Sequence, residues 1–297
     1  MFCFQTIRYR AVRIALACCV MFNATACDAE SRSKASSAES AKAARAASKK
    51  ARTVTKSPYG QKASDYVLSF AEEFDQGFNR KIWNDTIWYE ESNPTINYAV
   101  EDGMLKIWPQ RDAAGNFFNR TLDTDGKFDQ TYGYFEVEAK LPIGRGTWPA
   151  FWLFNHIDER RPEIDIMEAY TGGIEPWGFL ADDGQPHPQA YAPTVWLDEG
   201  IRAGTLQYDT RKDLSVGFHK YAVKWEPGKQ TFYFDGKQTL TVYAPISDPL
   251  YIVLDLWFGS DSGTPDDSTP QGKANAFQVK YVRAWKFKKQ SGSLPRR

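Results

Sequence analysis

The chain has 297 residues and 37 basic against 37 acidic side chains, a formal net charge of zero that gives no electrostatic case for a nucleic-acid partner. All four cysteines (Cys3, Cys18, Cys19, Cys27) fall within the first 27 residues, which excludes a disulfide framework or a cysteine-based metal site from the remainder. That remainder must hold by packing alone, which a chain of this length and 15% aromatic content can do.

The N-terminus reads as an export signal over residues 1–27. Arg8, Arg10 and Arg13 precede the apolar run Ile14–Phe22, which is too short to span a bilayer. Ala24-Thr25-Ala26 then suits a small-x-small cleavage site. Ala24-Thr25-Ala26-Cys27 also resembles a loose bacterial lipoprotein box, although Leu usually takes its first position, so a lipidated Cys27 tethering the domain to a membrane is one expectation. Residues 28–57 are almost entirely Ala, Ser, Lys, Arg, Glu and Thr and read as a disordered linker, since they bury too little apolar surface to offset the entropy of ordering. Residues 58–297 form the folded domain, which is expected to be monomeric.

In that domain the pattern is of strands and turns. Tyr66–Phe70 alternates as a short strand, and Tyr98–Trp108 reads as a hairpin turning at Asp102-Gly103. Tyr132–Leu141 sends Tyr134, Glu136, Glu138 and Lys140 to one face and Phe135, Val137, Ala139 and Leu141 to the other. Trp148–Phe154 and Glu163–Tyr170 are apolar strands bounded by Gly, Pro and Asp. Tyr221–Trp225 precedes a second hairpin, Thr231–Leu240, turning at Asp235-Gly236. Tyr251–Trp257 and Val279–Lys286 close the set. With almost no amphipathic helical pattern and no internal repeat, this predicts an all-β fold, a sandwich or jelly roll.

The chemistry concentrates in Glu163-Ile164-Asp165-Ile166-Met167-Glu168. On a regular strand Glu163 and Asp165 share a face, and Glu168 has the wrong parity. A β-bulge at Ile166-Met167 would return Glu168 to that face. Crowded carboxylates repel, so at least one should keep its proton near neutral pH, as a general acid beside a nucleophile must. Ordinary surface acids or a three-acid calcium site are the alternatives; the first leaves the strongly apolar residues between them unexplained. Only three His are present and none forms a ligand pair, which disfavours a chymotrypsin-like or metal hydrolase.

The Glu163-x-Asp165-x-x-Glu168 motif resembles the bulged catalytic signature of glycoside hydrolase family 16, in its laminarinase-like form. Tyr132–Pro142 with Gly146–Leu153, Phe218-His219 through Gly236, and Tyr281-Val282-Arg283 are similar to further blocks of that family. The resemblance spans roughly residues 66–287. It implies a jelly-roll β-sandwich with a sugar cleft across a concave sheet, Glu163 as nucleophile, Glu168 as acid/base and Asp165 orienting the nucleophile. It also implies a retaining, endo-acting hydrolase of a β-glucan or a bacterial exopolysaccharide. A transglycosylase on the same scaffold and a lectin-like binding module are the competing readings; binding alone gives no reason to crowd three carboxylates.

Sugars pack on aromatic faces, which makes Trp148 and Trp152 the first cleft candidates, followed by Trp88, Tyr89, Trp177 and Trp196 in loops. Trp225 and Trp285 belong to the core. The loops at 85–96, 111–130 and 171–212 carry specificity, with Glu175–Gly200 expected to wall the cleft. Two departures from the family stand out. The stretch Ala192–Trp196 lacks the His that many members carry near the acid/base, with His187 the nearest in sequence. Lys280 stands where an acidic ligand of a structural calcium is usual, and could replace that cation by pairing with Glu72 or Glu73. Neither a metal nor a cofactor is therefore expected.

Overall fold

The computed structural model describes residues 57–172 and 175–288. The export signal, Cys27 and the linker up to residue 56 lie outside the described residues. Within them there is no α-helix, only three single-turn 3-10 segments.

Two large antiparallel sheets carry the fold. The first contains β1 (Tyr66–Glu72), β2 (Tyr98–Glu101), β3 (Met104–Ile107), β6 (Gly133–Lys140), β15 (His219–Glu226), β16 (Lys229–Phe234), β17 (Lys237–Val242) and β19 (Phe277–Phe287). Its order is β17-β16-β15-β6-β19-β3-β2, with β1 also on β19. The second contains β4 (Arg120–Asp123), β5 (Asp129–Gln130), β7 (Thr147–Phe154), β8 (Glu163–Glu168), β12 (Thr194–Asp198), β13 (Ile201–Thr205) and β18 (Leu250–Phe258). Its order is β13-β12-β8-β7-β18-β4, with β5 also on β18. Two small hairpin-like pairs complete the set: β9 (Gly178–Leu180) with β10 (Pro186–Pro188), and β11 (Ala190–Tyr191) with β14 (Tyr208–Asp209).

Period-two alternation explains how the sheets meet. Phe135, Val137 and Ala139 of β6, with Tyr221 and Val223 of β15, project into one apolar cluster. There they join Phe151 and Leu153 of β7, Ile164 and Met167 of β8, and Ile252, Leu254 and Leu256 of β18. This is the core of an all-β jelly-roll sandwich. Trp225 sits in it and Trp285 is buried in a second cluster with Tyr66 and Tyr134 on the far face of the first sheet, as expected for core tryptophans. That far face is covered too: Glu136 is buried, accepting hydrogen bonds from Tyr59 N and Tyr281 Oη.

Lys280 pairs differently from expectation. Val279 opposes Ala139 and Tyr281 opposes Glu138, so Lys280 is the extra residue of a bulge and its Nζ lies 2.6 Å from Glu138 Oε1. Lys220 Nζ closes on the same carboxylate at 3.2 Å. Glu72 instead accepts from Phe74 N, and Glu73 pairs with Arg283.

Both hairpin turns fall where the Asp-Gly pairs predict. Asp102 and Gly103 have φ of 55° and 69°, and Asp235 and Gly236 have 48° and 77°. Positive φ at both central residues is the tight-turn geometry that matches strand twist. Partial burial acts against ionisation of Asp235, but hydrogen bonds with His219 Nδ1 and from Lys220 N, with Lys212 alongside, pull its carboxyl down to about 2. A depressed carboxyl contributes stability above its unfolded value near 4, and that stability is lost as pH falls through about 2. Asp235→Asn, which keeps the turn, is expected to cost about 1 kcal/mol at pH 5 once solvent screening is allowed for. Urea denaturation at pH 5, 3 and 2 should show the two proteins converging at the acid end.

Candidate active site

The inward-facing residues of the second sheet make the core, so their neighbours face the other way and build a groove. On β7 these are Trp148, Ala150, Trp152 and Phe154; on β18 they are Tyr251, Val253, Asp255 and Trp257. On β8 the alternation is broken once. Phe151 opposes Met167, yet Trp152 opposes Asp165, which leaves Ile166 as an extra residue. Ile164, Ile166 and Met167 consequently all enter the core, while Glu163, Asp165 and Glu168 all line the groove. The bulge thus occurs where sequence parity requires it.

Register arranges the groove floor in rows about 4.8 Å apart from strand to strand. Trp196, Glu163, Phe154 and Tyr251 form one row, and Thr194, Asp165, Trp152 and Val253 the next. The third row is Glu168, Ala150 and Asp255, in which the small Ala150 separates two carboxyl groups. The central cavity is about 390 Å³ and also touches Tyr89, Tyr170 and Ser260. A second cavity of about 590 Å³ continues past Glu163 and is bounded by Trp88, Arg161, Trp196 and Asp198. Tyr89, Phe154, Glu163 and Trp196 border both, so the acids stand partway along a groove rather than at its blind end.

Indole donors tie the carboxyls down. Trp196 Nε1 donates to Asp165 Oδ2 at 3.0 Å, Trp148 Nε1 to Glu168 Oε1 at 3.0 Å and Trp152 Nε1 to Asp255 Oδ2 at 2.6 Å. Burial dominates the electrostatics. It pushes Glu163 up to about 7, opposed by a hydrogen bond from Asp165 and assisted by the charge of Glu168. Burial, reinforced by the charges of Glu163 and Glu168, holds Asp165 well above the usual carboxyl range, so Asp165 keeps its proton and donates it in that hydrogen bond. Glu168 is also raised by burial, against hydrogen bonds from Tyr170 and Trp148. Asp255 is raised well above its usual value by burial.

The aromatic candidates divide. Trp148 and Trp196 line the groove and hold its acids. Trp152 lines the floor but is only 7% exposed, packed among Phe154, Tyr251 and Val253, so it shapes the floor and offers little free ring face. Trp88 borders the outer cavity, stacked on His156 with ring centroids 5.2 Å apart and with the Arg161 guanidinium 4.9 Å from its own centroid. Trp177 lines neither cavity: its ring packs on Tyr170, centroids 4.7 Å apart. It therefore supports a wall residue instead of forming the wall. Of the Glu175–Gly200 segment, Trp196, Asp198, Glu199 and Gly200 do border the groove. His187 is held between Asp213 and Asp183, at 2.6 and 3.1 Å, and lines neither cavity. Asp255, Trp257 and Tyr170 were not anticipated. A lone acid in the apolar run Leu250–Phe258 was the available signal for the first.

An antiparallel jelly roll with buried carboxyls along one groove is an arrangement with known relatives. The model of glycosyl hydrolases family 16 matches residues 84–283, and the chain belongs to that family. An endo-1,3-1,4-beta-glycanase of Rhizobium meliloti (strain 1021) is 31% identical over 220 residues, covering 68% of this chain and 43% of the relative. A glucan endo-1,3-beta-glucosidase of Cryptopygus antarcticus is 29% identical over 259 residues, covering 74% and 92%. The catalytic domain of an endo-1,3-beta-glucanase (laminarinase) from Thermotoga petrophila RKU-1 superposes with a TM-score of 0.61 at 24% identity, over 76% of this chain and 100% of that one. The chain spans about two-fifths of the length of the rhizobial relatives it matches.

Carboxyls raised by burial cost stability when they ionise. Because the folded Glu163 titrates above its unfolded value near 4.5, the folded state binds more protons between there and about 7, and stability falls as pH rises through that window. Glu163→Gln cannot ionise and should escape the fall. Calorimetry is expected to find the variant and parent melting together at pH 4, and the variant higher by roughly 3 °C or more at pH 8.

Proposed function

We propose that the protein is a retaining, endo-acting hydrolase of a β-linked polysaccharide, a β-glucan or a bacterial exopolysaccharide. The observation that carries this reading is the cluster Glu163, Asp165 and Glu168, brought to one face by the bulge and sited partway along a groove. A groove that continues past the acids suits cleavage within a chain. The activities for which the relatives are named, a 1,3-1,4-glycanase and a 1,3-glucosidase acting on glucans, support the β-glucan class.

In the first step the Glu163 carboxylate attacks the anomeric carbon as Glu168 gives its proton to the departing oxygen, forming an α-glycosyl ester. In the second step Glu168 takes a proton from water, which displaces Glu163 and restores the β configuration. Asp165, still protonated, donates its hydrogen bond to Glu163 and spares the ionised nucleophile some of the cost of burial. The Trp196 indole fixes Asp165 in turn. A purely binding role leaves unexplained why the chain buries these carboxyls at a cost to stability. The expected signal at 1–27 further supports export, with the mature chain starting at or near Cys27. Mass spectrometry of the native N-terminus tests this: an intact Met1 refutes export, and an unmodified Cys27 refutes lipidation alone.

The catalytic assignment is separable residue by residue. Glu163→Gln should lose activity by far more than tenfold on a soluble β-glucan. Glu168→Ala should still form the intermediate from an activated aryl glycoside, and azide should restore turnover with a β-glycosyl azide, since two inversions preserve configuration. Glu163→Ala should give the α-azide by a single inversion. An α-product from the Glu168 variant would reverse the two roles.

A further inference from the structure

Tyr170 lies two residues beyond the acidic motif, outside any named strand, yet its backbone remains in step with β7. Ala169 N donates to Pro149 O at 3.1 Å and Thr171 N to Thr147 O at 3.0 Å. The chain therefore stays extended, and Tyr170 faces the same side as Glu168, one pleat further on. That places it beside Trp148, with which it stacks at 5.4 Å and 30°, and Trp148 in turn meets Trp257 edge-on at 5.5 Å. Trp177 closes on Tyr170 from another direction. A phenol between two indoles has little rotational freedom, and it lines the same cavity as Glu168, whose carboxyl its hydroxyl favours in the ionised form. The neighbouring strand β12 does not serve this carboxyl: Thr194 opposes Asp165 and Trp196 opposes Glu163. Trp148 Nε1 donates to the Glu168 carboxyl, and the Tyr170 hydroxyl is the second polar group that favours its ionised form.

We infer that Tyr170 is a positioning residue for the acid/base, its stacked ring aiming a hydroxyl that fixes the Glu168 carboxyl in the orientation needed to pass a proton to the leaving oxygen and to recover one from water. The inference rests on the assignment of Glu168 as acid/base. No bond to Tyr170 is made or broken in either step. Its hydroxyl favours the ionised form of Glu168, while burial, the larger influence, favours the protonated form. The balance suits a group that must alternate between the two in each turnover.

Tyr170→Phe removes the hydroxyl and keeps the ring between its two neighbours, so the melting temperature should stay within about 2 °C of the parent. Without the donor the carboxylate is less favoured, and the high-pH limb of kcat/KM should move to higher pH by roughly half a unit to one unit. On a β-glucan oligosaccharide kcat should fall roughly tenfold with KM within about twofold, whereas bond cleavage in an activated aryl glycoside, measured as the first-turnover burst, should be nearly unchanged. An unmoved limb, or equal losses on both substrates, overturns the inference. Glu168→Ala measured alongside separates the two levels. If its high-pH limb persists, the acid/base assignment fails and the role of Tyr170 with it. If its limb disappears and that of Tyr170→Phe stays at the parent position, only the role of Tyr170 fails.

Discussion

The active groove depends on one surplus residue. A strand offers side chains to two faces in strict alternation, and β8 must satisfy an apolar core behind it and a polar groove in front. Ile166 is the residue that no partner on β7 opposes. Its presence lets Ile164, Ile166 and Met167 all bury while Glu163, Asp165 and Glu168 all face outward. The same sequence paired without the bulge would turn Glu168 toward the core, where an unpaired carboxyl costs several kcal/mol. Packing and chemistry are thus bound to the same backbone irregularity.

The groove pays for reactivity with stability. Glu163, Asp165, Glu168 and Asp255 all have their carboxyls raised, chiefly by burial, and none has a cationic partner among the ion pairs of the described residues. Three tryptophans supply the donors instead. An indole N–H carries no formal charge, so it steadies a carboxylate without forcing full ionisation as an arginine would. Each ring also contributes to the wall or floor. The opposite face of the molecule uses the contrary device: Glu138, bracketed by Lys220 and Lys280, is held below the usual carboxylate range despite burial. One fold therefore raises the carboxyls along its groove and lowers one on the opposite face.

Much of this was legible in the chain because period-two patterning is a local signal. Tyr132–Leu141 and the Asp235-Gly236 hairpin follow from alternation and turn chemistry, and the bulge follows from the parity of three acids around apolar neighbours. What escaped depends on contacts between distant segments. Asp255 sits in an otherwise apolar strand that reads as core, and only the register of β18 on β7 brings it beside the motif acids. Tyr170 falls just past the motif, where strand periodicity is no longer obvious. Trp177 packs on Tyr170 and lines neither of the two cavities, and a loop tryptophan carries no phase from which to tell a wall from its support. Lys280 found Glu138 rather than Glu72 or Glu73 because a bulge in β19 shifts it over β6, a displacement the sequence does not mark.

Ala150 has the smallest side chain in the floor, set between Glu168 and Asp255 and bordered along its own strand by Trp148 and Trp152. Glu168 and Asp255 stand two strand spacings apart, about 10 Å between their backbones, with only the Ala150 methyl group between them on the floor. The space between the two carboxyls is set by this one buried side chain, which packs with Trp152 and Phe154. A longer chain at the position would fill that space. In the proposed function, the fit of a sugar at this point and the acids that act on it are then set by different residues.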